Sequence, residues 1–124
     1  MKLLLQSQFD ELILNGHTYA MLEDFDPKPV VKLFTPDAAC TWLLTAIEPD
    51  ERDIAWGLCD IGLGFAEYGT VSLSELAALR GKLGLPVERD RHFVAKAPIS
   101  VYIKYSYPAG RIITDLPAFA ETVP

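Results

Sequence analysis

The clearest pattern in the chain is a pair of apolar segments, residues 41–47 and 54–60, on either side of an acidic turn. Residues in both segments favour β-structure, and each segment is short enough for a single strand. The two segments therefore predict a β-hairpin. If its turn is centred near Asp50, Trp42 lies opposite Cys59 in the pair.

Both faces of this predicted hairpin are apolar. Period-two alternation places Trp42, Leu44 and Ala46 on one face of the first strand, and Leu43 and Ile47 on the other. Strands that are apolar on both faces are typical of the middle of a sheet that is covered on both sides. We therefore expect the rest of the chain to complete and cover this sheet.

Helical spacing of apolar residues predicts two short helices. The first covers about residues 8–14 and ends at Gly16, because glycine commonly stops a helix. The second covers residues 73–80, begins with a capping box at Ser72 and ends at Gly81.

Four further segments have extended or ambiguous patterns. Residues 30–34 are rich in β-forming side chains and predict a strand, and a shorter strand is expected near residues 18–22. Residues 87–94 are predicted to be extended. Residues 99–107 fit either an alternating strand or one face of a helix, and both alternatives end before Gly110.

These elements predict an α+β fold: a mainly antiparallel sheet of four to five strands with two to three short helices packed on it. A chain of 124 residues and 13.7 kDa is long enough for one core, so residues 1–124 are expected to form a single domain. The tail from about residue 116 is expected to be poorly ordered.

Composition limits the cellular locations and the binding partners that can be expected for the protein. A formal net charge of -6 disfavours direct nucleic-acid binding, which calls for clustered lysine and arginine. The apolar run after Met1 stops at Gln6, too early for a signal peptide, and no run is long enough to span a membrane. Cys40 and Cys59 fit reduced core thiols. A cytoplasmic protein without a cofactor is expected.

An ordered series of motifs lies between Lys32 and Phe93: KLFTPDA (32–38), TW (41–42), EPDER (48–52), AWGLCD (55–60), VSLSEL (71–76), LRGKLGLPVERD (79–90) and HF (92–93). Together these motifs resemble domain-of-unknown-function family 2958, which occurs mainly on bacterial plasmids, integrative elements and phages. The resemblance implies a setting among mobile-element genes, often near antirestriction-type proteins, and it carries over no catalytic residue.

The acidic turn is the candidate site for partner binding. An acidic surface can occupy the basic nucleic-acid-binding surface of another protein, and charged rims speed such encounters. An exposed aromatic side chain beside the turn would supply an anchoring contact. The candidate residues are Glu48, Asp50, Glu51 and Asp53 in the turn, Asp60 and Glu67 if they lie at the same end of the sheet, and Trp56 and Tyr68 as anchors.

A metal site is the alternative. On a strand, Glu88, Asp90 and His92 would share one face, where two carboxylates and an imidazole can ligate a divalent cation. The same residues also fit an exposed strand face on which the two carboxylates pair with neighbouring arginines. Nucleophilic catalysis is not expected, because Cys59 lies in an apolar strand and Ser72 is explained by helix capping.

We therefore expect a small, acidic, non-enzymatic binding protein of a mobile genetic element. Its expected partner is a host protein or ribonucleoprotein complex of a defence system, which the protein would inhibit or modulate in the manner of an antirestriction or anti-CRISPR protein. Direct contact with nucleic acid or membrane is not expected. The alternatives are a metal-binding protein or metal-dependent enzyme, and a structural or regulatory homodimer.

Overall fold

A five-stranded antiparallel sheet organises the fold in the computed structural model, which describes residues 2–117. Three helices of these residues pack on the sheet, so the predicted α+β class is confirmed. In spatial order the strands run β4-β3-β2-β1-β5. The elements are α1 (Gln6–Met21), β1 (Val31–Phe34), β2 (Thr41–Ile47), β3 (Ile54–Asp60), β4 (Glu67–Ser72), α2 (Leu73–Ala78), β5 (Glu88–Arg89) and α3 (Ile99–Ala109).

The predicted central hairpin is confirmed. Strands β2 and β3 pair antiparallel with Trp42 opposite Cys59, and both have a neighbouring strand on their other edge. Nearly every residue of β2 is buried, as expected for a strand with apolar side chains on both faces.

A β-bulge in β2 changes which face the end of the strand presents. The register with β3 shifts between Leu44 and Ala46, so that Thr45 is the additional residue. One extra residue reverses the alternation beyond it. Ile47 consequently joins Trp42 and Leu44 in one core cluster, and the prediction that it shares a face with Leu43 was wrong.

The sheet separates two hydrophobic clusters. The first lies on the face covered by α1 and α2, and the second lies on the face covered by α3. Buried members of the first cluster are Leu12, Val31, Leu33, Trp42, Leu44, Ile47, Ala55, Leu76 and Val87. Those of the second are Leu43, Leu58, Ala66, Ala97, Ile99, Tyr102 and Ile112.

Helix α1 is more than twice as long as predicted. It continues through Gly16 to Met21, so Gly16 is not a helix stop and residues 18–22 do not form a strand. A Cβ atom on Gly16 would overlap the carbonyl oxygen of Ile47. The glycine therefore permits close approach of helix and strand, the other common reason for glycine at such a position.

Residues 99–107 belong to a helix, α3, which runs on to Ala109. Ile99, Tyr102 and Ser106 are buried at helical spacing, and burial of this face decides between the two predicted alternatives. Gly110 then adopts a left-handed conformation, with a φ angle of 71°, and ends the helix.

Two boundaries differ from the predictions. Helix α2 ends at Ala78, before Gly81, and of the predicted extended segment 87–94 only Glu88–Arg89 pairs as a strand. Leu116, where the predicted tail begins, packs against the second cluster. The predicted tail beyond residue 117 lies outside the described residues. No helix within residues 2–117 is long and apolar enough to cross a membrane.

Candidate functional site

A cavity of about 430 Å³ lies between the second half of α1 and the start of the β2–β3 turn. Its volume falls within the range of about 300–1,000 Å³ that is typical of ligand sites. Helix α1 supplies Gly16, His17, Tyr19 and Ala20, the turn supplies Glu48, Pro49 and Asp50, and the sheet supplies Trp56 and Tyr68.

Two aromatic rings form the sheet side of the cavity. In the β3–β4 ladder Trp56 pairs with Thr70, and Leu58 pairs with Tyr68. Trp56 and Tyr68 are thus diagonal neighbours on one face, a separation that long aromatic side chains can bridge. Their rings stack with centroids 6.1 Å apart and planes inclined by 22°. Both residues are only half-buried.

A chain of hydroxyl groups fixes the Tyr68 ring. The Tyr68 hydroxyl lies 2.8 Å from Thr45 Oγ1 and 3.1 Å from the Tyr19 hydroxyl, and Thr45 Oγ1 donates to the Trp56 carbonyl at 3.2 Å. Burial raises the pKa of Tyr68, so its phenol stays protonated. Because Thr45 is the bulged residue, the irregularity in β2 supplies a buried partner for this chain.

Glu48 ties the turn to the Trp56 ring. The indole Nε1–H of Trp56 donates a 2.6 Å hydrogen bond to Glu48 Oε1, which uses one of the two carboxylate oxygens. Asp50 adds a second carboxylate to the wall and is exposed. Among the described residues no lysine or arginine lines the cavity. Besides the two tyrosine hydroxyls and the Trp56 indole, its polar side chains are the carboxylates of Glu48 and Asp50 and the imidazole of His17.

The family to which the chain belongs follows from a family-level comparison. Residues 3–113 match the family described as "Protein of unknown function (DUF2958)". The chain belongs to this family. Comparison with curated proteins and with solved structures gave no match.

The DUF2958 match extends beyond the Lys32–Phe93 segment in which the sequence motifs were found. It includes α1 and α3 as well as the complete sheet. Both walls of the cavity, the one from α1 and the one from the β2–β3 turn, therefore lie inside the region that defines the family.

The acidic residues chosen from the sequence lie in four different places in the DUF2958 chain. Glu48 and Asp50 line the cavity. Glu51 is exposed at the tip of the same turn, beside the cavity but outside its wall. Trp56 and Tyr68, the proposed aromatic anchors, lie in the wall with Glu48 and Asp50, so the structure brings these four residues together.

Asp53 has a structural contact instead. Its carboxylate accepts hydrogen bonds from Ser72 Oγ at 2.6 Å, from the Ser74 backbone N–H at 2.8 Å and from Ser74 Oγ at 3.0 Å. The Ser72 hydroxyl and then the Ser74 N–H hold the pKa of Asp53 below its usual value. Asp53 thereby joins the hairpin turn to the start of α2.

Asp60 and Glu67 do not lie at the acidic end of the sheet, and that expectation was wrong. Asp60 ends β3, whereas the acidic turn precedes its first residue. Six residue steps along a strand separate the two ends by roughly 20 Å. Buried Asp60 accepts N–H bonds from Gly62 at 2.9 Å and Ile112 at 3.1 Å, and Glu67 is exposed opposite Cys59.

The strand needed for the alternative metal site is also shorter than predicted. Strand β5 ends at Arg89, so alternation does not continue through Asp90 and His92. The Asp90 carboxylate lies 3.5 Å from Lys32 Nζ and accepts the His92 backbone N–H at 2.9 Å. Across residues 2–117, no three His, Cys, Asp or Glu side chains are grouped to hold a metal ion.

The α1 wall was missed because the predicted helix ended too early. Leu12, Gly16 and Tyr19 follow one another at intervals of four and three residues, which is the spacing of one helix face. This spacing is a usable signal for a longer helix, but a predicted helix that stops at Gly16 excludes His17 and leaves Tyr19 in the short strand expected near residues 18–22.

Proposed function

We propose that this protein is a small, acidic, non-enzymatic binding protein that docks on a basic surface of a protein or ribonucleoprotein complex. One observation carries the proposal: the cavity combines the stacked rings of Trp56 and Tyr68 with the carboxylates of Glu48 and Asp50. Aromatic anchors in a partly desolvated pocket are typical of interface centres, and acids at the rim direct a basic partner.

The charge distribution supports the same interaction. Residues 47–60 contain five acids and Arg52 as their sole basic residue, and the whole chain carries a net charge of -6. Asp50 and Glu51 are exposed at the tip beside the cavity. A concentrated negative field of this kind raises the association rate with a positively charged surface, and the effect weakens as salt increases.

The proposed partner is a host defence complex that binds nucleic acid, of the restriction or CRISPR type. Such complexes carry the basic surfaces that an acidic protein can occupy. The resemblance of the chain to proteins of plasmids, integrative elements and phages supports this choice. The protein then acts in the cytoplasm, where it competes with nucleic acid for the complex.

The experiment is a pulldown from nuclease-treated host lysate with the captured proteins identified by mass spectrometry. Wild type is compared with an Asp50→Lys/Glu51→Lys variant, and the matched control is Asp10→Lys/Glu11→Lys, which makes the same charge change at exposed residues of α1. Solution mass by light scattering verifies that the three proteins have the same oligomeric state.

The proposal expects wild type and control to capture one nucleic-acid-binding complex that the hairpin variant fails to capture. Equal capture by all three proteins would show that the hairpin is not the docking surface. If neither the hairpin variant nor the α1 control captured the complex, the interaction would depend on net charge alone, and a local docking site would be contradicted.

A further inference from the structure

The cavity next to the hairpin has the chemistry of a site for one flat cation. The stacked Trp56 and Tyr68 rings present aromatic surface, and cations bind over the faces of such rings. Glu48 Oε1 is occupied by the Trp56 indole N–H, so the carboxylate retains a second oxygen as an acceptor. Asp50 supplies another acceptor on the same side of the cavity.

We propose that this cavity receives a single arginine side chain from the protein partner. The inference rests on the proposed function and names the chemical group that the site recognises. The guanidinium packs against the aromatic wall that Trp56 and Tyr68 form, while its N–H groups donate to Glu48 and Asp50. No bond forms or breaks, because the interaction is recognition only.

The geometry favours guanidinium over ammonium. A guanidinium is planar, is less strongly hydrated than an ammonium group, and presents a fork of donors to a carboxylate while its face remains free to stack. The wall offers aromatic rings and carboxylates together, and a guanidinium can stack on the rings while it donates hydrogen bonds to the carboxylates. A lysine ammonium would also bond to the carboxylates, but it has no flat face to stack on the rings.

A protein segment is favoured over a free small cation by the acids outside the cavity. Glu51 is exposed at the tip of the turn and is not part of the wall. A small ligand that contacts the wall alone leaves Glu51 unused, whereas a polypeptide that inserts one arginine can also place a second basic residue near Glu51. Acids both in the wall and beyond it thus match a short basic segment.

The aromatic wall is held in place before any ligand arrives. Tyr68 is bonded to Thr45 and Tyr19, and the Trp56 indole is bonded to Glu48. Rings fixed in this way lose little side-chain freedom on binding, so more of the interaction energy is available for affinity. This arrangement distinguishes the cavity from a set of surface acids.

The test is isothermal titration of the whole protein with the capped peptide acetyl-Gly-Arg-Gly-Lys-Gly-amide. The matched probe replaces its arginine with citrulline, which keeps the shape and removes the charge. We expect the citrulline peptide to bind at least about tenfold more weakly, because it loses both the cation–π and the charge-assisted contacts. A second probe replaces the arginine with lysine, and we expect weaker binding than for arginine.

Variants locate the interaction. Glu48→Gln, which keeps an acceptor for the Trp56 indole, is expected to weaken binding by about tenfold. Glu11→Gln makes the same chemical change at an exposed residue of α1 that does not line the cavity, and it is expected to leave affinity within about twofold. Thermal unfolding verifies that both variants are folded, and the peptide comparison on wild type needs no variant.

Several outcomes would overturn the inference. These are equal affinity for the arginine and citrulline peptides, equal affinity for arginine and lysine peptides, or unchanged affinity in Glu48→Gln. Free arginine that binds as tightly as the peptide would overturn the assignment to a protein segment. If the lysate pulldown succeeds and no arginine selectivity is found, docking stands and this inference fails. If the peptide shows arginine selectivity but the pulldown yields no hairpin-dependent partner, the arginine site stands and the docking proposal fails.

Discussion

At the residue scale, Gly16 explains how helix α1 reaches the sheet and forms one wall of the cavity. Its missing side chain leaves room for the Ile47 carbonyl, which a Cβ atom would overlap. Alanine at this position has opposing effects. It favours a helix over glycine by about 1 kcal/mol, but the clash with backbone atoms forces helix and strand apart.

We expect the clash to prevail in a Gly16→Ala variant and to lower the free energy of unfolding by about 1–3 kcal/mol. Equilibrium unfolding in urea measures this change. Gly69→Ala in β4 is the matched control, because nothing lies within 4 Å of a Cβ atom there and the change should be small. A Gly16→Ala protein as stable as wild type would contradict the close helix–strand contact.

Cys59 is expected to be an unreactive thiol. Burial, followed by the nearby Glu67 charge, raises its pKa to about 11. At about pH 8 its thiolate fraction is then roughly a hundredfold smaller than that of a thiol with a pKa of about 9. Alkylation of a Cys40→Ser variant with iodoacetamide should therefore be slow at pH 8 and accelerate toward pH 11. Reaction at the rate of a free thiol would refute this environment.

Individual residues of the site differ in how far the sequence could predict them. The acidic turn that contains Glu48 and Asp50 is recognisable in the sequence, and the predicted hairpin register places Trp56 near this turn. The role of Asp60 was not predictable in the same way. One of its hydrogen-bond donors, the Ile112 N–H, lies 52 residues further along the chain, and no local pattern connects the two residues.

At the element scale, the bulge in β2 links the sheet to the aromatic wall. Thr45 is fully buried, and its hydroxyl contacts both the Tyr68 hydroxyl and the Trp56 carbonyl. Thr45→Val retains the shape and removes these bonds. We expect the free energy of unfolding to fall by about 1–3 kcal/mol, because buried partners lose a hydrogen bond.

A double-mutant cycle with Tyr19→Phe tests whether the hydroxyl chain acts as a unit. Tyr19 and Thr45 bond to the same Tyr68 hydroxyl, so their effects should be non-additive by at least about 0.5 kcal/mol. The measurement is urea unfolding of the two single variants and the double variant. Strictly additive losses would mean that the chain is not coupled.

Helix α2 depends on the hairpin for its first turn. Asp53 accepts from Ser72 and Ser74, and these bonds lower its pKa. The folded-state pKa lies below the usual value of 3.8, so this contribution to stability is present above about pH 4 and is lost as pH falls through the folded-state pKa.

Asp53→Asn removes the titrating carboxylate. Stability of the variant should therefore fall less between about pH 5 and pH 2 than that of wild type, and amide exchange in α2 at neutral pH should be faster. Urea unfolding at several pH values and hydrogen exchange measure these effects. An identical acid dependence in both proteins would show that Asp53 does not anchor the helix.

The elements were predictable where the pattern was local and strong. The central hairpin, including the pairing of Trp42 with Cys59, follows from two apolar runs and one turn. Residues 99–107 carry β-forming side chains, yet burial of Tyr102 against the second cluster makes them helical, and such tertiary packing overrides propensity. The bulge at Thr45 has no comparable signal in the sequence.

At the scale of the whole molecule, the sheet brings distant parts of the chain into one site. Residues of α1 and residues after β2 meet at the same end of the sheet, together with the rings of Trp56 and Tyr68. In the proposed function, the acidic turn attracts a basic partner, and the aromatic wall of the cavity receives one cationic group of that partner. The proposed docking and the proposed cation site therefore concern the same end of the sheet.

The most direct test of this account is a ¹H–¹⁵N NMR titration of the whole protein with the capped arginine peptide. The chain has two tryptophans, and Trp56 lines the cavity whereas Trp42 is 3% exposed in the first core cluster. We predict a saturable shift of the Trp56 indole N–H signal and a stationary Trp42 signal. An unmoved Trp56 signal at saturating peptide, or equal movement of both, would contradict a cationic anchor site at this cavity.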